Sequence, residues 1–100
     1  MSSSNIQAVT KTADGHAIAG RTRVVGIYFT NTTTGSSFSL KNGSTSSGTA
    51  LITINTPAAA GASDIIVPDM GILFDTGVFI DVNNAEVTSV TLLFQGGAAQ

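Results

Sequence analysis

GILFDTGVFIDVNNAEVTSVTLLF, Gly71 to Phe94, is the stretch whose reading decides the fold class. It holds three apolar alternations separated by turn-forming residues. Ile72 and Phe74 share one face of the first, Val78, Ile80 and Val82 one face of the second, and Val90, Leu92 and Phe94 one face of the third. Side chains of an extended strand point alternately to opposite faces, so each run can lay a row of branched or aromatic groups on a common core. Asp75-Thr76-Gly77 and Asn83-Asn84 carry turn chemistry, and the stretch reads as a β-meander. No part of it carries catalytic chemistry.

Upstream, Arg21 to Thr30 (RTRVVGIYFT) is the strongest strand of the N-terminal half, with Val25, Ile27 and Phe29 on one face and Val24 and Tyr28 on the other. Apolar groups on both faces mean that both are covered. Gly26 in its middle marks a bulge or a close approach of another backbone. Ile6 to Thr12 reads as an edge strand with Lys11 as its solvating charge, and Asp14-Gly15 as a turn leading into His16 to Gly20. Phe38 and Leu40 begin a short strand that runs into the tight-turn pair Asn42-Gly43. Ala50 to Thr56 follows, with Ile52 and Ile54 facing one way and Leu51 the other, until Pro57 removes a backbone donor. Ser63 to Val67 is stopped by Pro68-Asp69.

The expectation is an all-β fold, an antiparallel β-sandwich or jelly roll of about eight short strands, with two stacked sheets as the economical arrangement. It divides into a flexible arm at 1–5, a single sandwich domain at 6–95 and a flexible tail at 96–100.

Composition bounds the function. The chain has 100 residues, 42% hydrophobic but only 10% charged, with a formal net charge of −2. Four basic residues, Lys11, Arg21, Arg23 and Lys41, cannot neutralise many phosphates, so no nucleic-acid partner is expected. No membrane partner is expected either, since runs such as Val24 to Phe29 fall far short of the ~20 residues of a spanning helix. Met-Ser-Ser-Ser-Asn lacks the features of a signal peptide, and the absence of Cys suits a reducing cytoplasm. Few charges and a mean hydropathy of +0.33 leave little to oppose self-association.

Candidate chemistry is thin, and no enzyme is expected. His16 is the single histidine and reads as an exposed turn residue rather than the base of a relay. Asp75, Asp81, Asn83 and Asn84 offer oxygen ligands to calcium only if two turns meet, and Asp and Asn are also what turns prefer, so neither metal nor cofactor is assigned. No glycine spacing matches a phosphate loop. The telling residues are those left over once a core face is assigned. Tyr28, Leu51, Leu73, Phe79 and Leu93 fall opposite their strand's main row and are the candidate subunit interface.

The order VVGIYFTNTTTGSSFSLKNGSTSSGTALITINTP, then IIVPDMGILFDTGVFIDVNNAEVTSVTLLF, resembles small β-sandwich virion proteins of tailed bacteriophages, of the marine and cyanobacterial type. Gly71, Ile72, Phe74, Gly77, Ile80, Asp81, Val82 and Thr88 to Thr91 fit the phrase that carries the resemblance; Leu73 stands where that phrase often has a charged or polar residue. The resemblance implies a capsid decoration or cement protein, or a receptor- or carbohydrate-binding module of a neck, tail or fibre. It implies location in the virion after assembly in a bacterial cytoplasm. The implied partners are further copies of the chain, a trimer being favoured, and the major capsid protein or other virion proteins.

Overall fold

The computed structural model describes residues 6–82 and 85–100; the expected arm at 1–5 and the Asn83-Asn84 turn lie outside them. Eight strands appear in chain order: β1 (Gln7–Lys11), β2 (Gly15–Asn31), β3 (Ser37–Asn42), β4 (Thr49–Asn55), β5 (Gly61–Ile66), β6 (Ile72–Phe74), β7 (Gly77–Asp81) and β8 (Val87–Ala99). All pairings are antiparallel, and no helix occurs among the described residues. The fold is all-β, as the alternations predict.

The strands form one hydrogen-bonded sheet in the order β1-β8-β2-β7-β3-β4, with β5 and β6 also paired to β2. Two strands are long rather than short. At about 3.3 Å per residue, the 17 residues of β2 would span roughly 56 Å if straight, more than the 43 Å longest dimension of the molecule. β2 therefore bends. Register shifts mark the bend, at His16/Ile18 against β7 and at Ala19/Thr22 against β8. Before the corner, Gly15 to Ala19 lie beside β7, which continues into β3 and β4; beyond it, Thr22 to Asn31 lie between β8 with β1 on one side and β6 with β5 on the other. The two layers of the sandwich are thus one sheet carried round a corner, the usual way for bent strands to serve two packed sheets. Phe38 of β3 and Phe29 near the far end of β2 meet edge to face across the interior, ring centroids 5.3 Å apart.

The corner is built where side chains are missing. Gly20, Gly77, Gly96 and Gly97 all adopt positive φ there. Gly97 shows why: a Cβ on it would stand 2.3 Å from Thr22 Oγ1 and 2.5 Å from Ile18 Cγ2. Gly96 to Ala99, expected as part of a flexible tail, belong to β8 instead. Arg23 pairs with Gln95, Thr22 with Gly96 and Ile18 with Ala99, and the Gln100 amide donates to the Ala17 carbonyl at 2.9 Å.

The meander is corrected as well. β6, β7 and β8 do not neighbour one another; all three pair with β2, β8 on one edge and β6 and β7 in succession on the other. Asp75-Thr76 is a jog between two segments on the same edge. The apolar rows themselves stand: Phe74, Val78, Ile80, Val82, Val90, Leu92 and Phe94 are buried, joined by Ile18, Ile27, Phe29, Phe38, Leu40 and Ile54. In β2 the core takes Val24 rather than Val25. A register shift between Val24 and Gly26 interrupts the alternation, which is the bulge expected at Gly26.

Candidate functional site

Outside the core the molecule offers two outward sheet faces and several open edges. On the face beyond the corner, Ala8, Leu93, Gly26 and Ile66 lie in one row across β1, β8, β2 and β5. Leu93 sits over Gly26, where a Cβ would come within 3.0 Å of its Cδ1. The next row holds Thr10, Thr91, Tyr28 and Asp64, tied by a 2.7 Å bond between the Thr10 and Thr91 hydroxyls. Beyond it, the Thr30 hydroxyl bonds those of Thr88 and Ser89. This face is apolar at one end and lined with hydroxyls at the other.

The five residues singled out from sequence divide between the layers. Tyr28 (45% exposed) and Leu93 (36%) share the face just described, with Leu73 half-buried beside Arg23 on it. Phe79 belongs to the other layer, half-buried between His16 of β2 and Lys41 of β3. Leu51 (43% exposed) is the extra residue of a β4 bulge, where the register shifts between Leu40 and Lys41. The five do not form one patch. Ile66 (70% exposed) and Met70 (65%) were missed. Ile65 and Ile66 are adjacent in a strand and must point to opposite faces; Ile65 packs on the core, and that alternation already sends Ile66 outward.

Met70 lies in the connection between β5 and β6, where Asp69 (φ 57°), Met70 (φ 72°) and Gly71 (φ 81°) are consecutive left-handed residues. That backbone costs about 1–2 kcal/mol for each non-glycine residue. At Gly71 nothing larger fits, because a Cβ would meet the Val24 carbonyl oxygen at 2.3 Å. The Val67 amide donates to the Val25 carbonyl at 3.0 Å, so the loop leaves β2 at the bulge and returns to it at Val24.

Of the polar residues, Asp14, Asp81, Lys41 and Asn31 make structural bonds. His16 is not an exposed turn residue; it lies half-buried in β2 opposite Phe79, with Nε2 enclosed and lacking a hydrogen-bond partner. Asp14 accepts the Val82 amide at 2.6 Å, fixing the start of β2 to the end of β7. Asp81 pairs with Lys41 at 2.7 Å through Oδ2, while its Oδ1 is enclosed without a partner. Lys41 also donates to the Ser46 carbonyl, holding the β3–β4 loop. Asn31 uses Nδ2 to bind the carbonyls of Thr32, Pro57 and Ala59, clamping the approach to β5. Of the four calcium candidates, Asp75 is exposed, Asp81 is in its ion pair, and Asn83 and Asn84 lie outside the described residues. Among the described residues no group of three or more acidic or histidine side chains is placed to hold a metal.

This arrangement suits contact with another surface. No family model matches the chain, and neither the curated proteins nor the solved structures include a match.

Proposed function

We propose that the chain is a structural protein of a phage particle, a decoration or cement protein that stabilises the head by packing against neighbouring subunits. The observation that carries this reading is the outward apolar group of Leu93, Ile66 and Tyr28, with Met70 exposed on the adjoining loop. Exposed apolar groups gathered on one sheet face mark a contact surface more often than scattered ones do. The sequence resemblance supplies the particle, and copies grouped as trimers at local threefold positions would repeat a modest contact by symmetry. Being an enzyme forms no part of this reading.

Electron microscopy of particles mixed with the chain tests it: density for the chain on the shell is expected, lost with Leu93→Asp combined with Ile66→Asp. Undecorated particles with the unaltered chain would overturn it. A second reading, a glycan-binding module of a tail or fibre, draws on Tyr28, an exposed aromatic ring with Asp64 and Thr91 beside it in the same row. A glycan array without hits would remove that reading.

A further inference from the structure

We infer that β4 is a seam between copies: its open edge pairs antiparallel with the β4 edge of a second copy, about a two-fold axis at Thr53. The seam rests on the assembly reading above in that it names one surface through which copies meet, separate from the Leu93 face.

Among the described residues, β1, β4 and β5 are the strands of five residues or more with one side unpaired along their whole length, and they are not alike. β1 carries Lys11, whose Nζ reaches back to the Gln100 carbonyl at 2.8 Å. β5 carries Asp64, and Pro68 lies two residues beyond its end, as Pro57 does beyond the end of β4. Charges of this kind keep a sheet edge from recruiting another strand. β4, with the sequence TALITIN, has no charge and no proline within it, and its one edge-protecting feature, the bulge at Leu51, leaves Ile52 to Asn55 in regular register.

The hydrogen-bond parity says which groups of β4 are open. Antiparallel pairs alternate between those that bond each other and those that point away. The Thr56 amide donates to Ser36, and the Gly43 amide to Gly77. Even-numbered residues of β3 therefore bond β4, and odd-numbered ones bond β7. Carried along the β3–β4 register, this gives Ile52 and Ile54 to β3 and leaves the amides and carbonyls of Thr53 and Asn55 facing outward. Of these two, Thr53 lies nearer the middle of β4. A two-fold axis there lets the two Thr53 residues exchange both backbone bonds and brings each exposed Leu51 within reach of the other copy's β4.

Neutrality selects a second copy as occupant. A strand paired with itself brings any charge close to a charge of the same sign, which is destabilising; β4 has none to bring. One strand edge buries less than the ~800 Å² per partner of a standard interface, so the contact belongs to the weak, concentration-dependent class.

Sedimentation velocity from about 10 µM to 1 mM covers that class. The unaltered chain is expected to gain mass by doubling its starting species. Thr53→Pro deletes an outward amide, and with it the Thr53–Ser39 hydroxyl bond, while leaving the backbone bonds of Ile52 and Ile54 to β3; an outward-facing edge position is one of the places a strand tolerates proline, and the variant is expected to abolish the doubling with an unchanged circular dichroism spectrum. Thr53→Lys should do the same by setting like charges face to face. Because the chain has no Cys, a Thr53→Cys variant should give a disulfide dimer under mild oxidation, and Ala13→Cys, in the exposed turn between β1 and β2 and away from both the seam and the Leu93 face, should not. Doubling that survives both Thr53→Pro and Thr53→Lys, or equal cross-linking at positions 53 and 13, would overturn the seam. Particles decorated normally by a chain that fails these tests would leave the assembly reading standing, whereas a chain that doubles as expected yet decorates no particle would leave the seam without it.

Discussion

The two edges of β2 are held in opposite ways. Along one, β8 runs beside it as a single strand from Val87 to Ala99; along the other, β7, β6 and β5 take over from one another with breaks at 75–76 and 67–71. The continuous edge turns the corner on Gly96 and Gly97, which place backbone where a side chain would collide. The relayed edge turns it by breaking. An unbroken strand must bend through residues that permit it, while an interrupted one can send surplus chain outward, and here that surplus presents Met70. The difference teaches that one strand can hold a continuous partner on one edge and a relayed one on the other, and that only the relayed edge has a break, at 67–71, that carries an exposed loop residue, Met70.

Three experiments break or sharpen this contrast. The largest effect is expected from the core: Phe94→Ala on β8 removes a fully buried ring and should cost about 3–5 kcal/mol, while Ile72→Ala on β6, only half-buried, should cost less, both read from urea unfolding. Equal costs would mean that the relayed edge carries as much of the core as the continuous one. Next comes the corner. Gly97→Ala should lower stability by about 2–4 kcal/mol through positive φ and overpacking, whereas Gly61→Ala, with open space around it, should stay within about 0.5 kcal/mol. The smallest effect is dynamic. Amides of β5 should exchange with deuterium by local opening, while those of β8 between Val90 and Phe94 should await global unfolding, a protection difference of at least about tenfold.

Strand positions and their buried rows were legible because alternation acts locally: Val78, Ile80 and Val82, or Val90, Leu92 and Phe94, each declare a face without reference to any partner. Partners were not legible. The meander reading paired neighbours in sequence, whereas β2 takes every strand of that stretch, and no local pattern states that Arg23 lies between Gln95 and Leu73. Gly96 to Gln100 looked flexible because small residues leave no row to detect, yet smallness is what the corner requires at Gly96 and Gly97. Of the candidate interface, Tyr28 and Leu93 were found together because their strands keep regular pairing at Thr91 and Gly26. Leu51 was correctly set apart from Ile52, but the bulge that exposes it was not visible in the sequence.

Tyr28 also gives the molecule a built-in optical reporter. It is the single tyrosine in a chain without tryptophan, and its ring stands half out in solvent on the Leu93 face. Tyrosine emission from an unlabelled sample therefore comes from one spot, and its quenching by acrylamide registers when that face is covered, while the β4 seam, on the other layer, can close without dimming it.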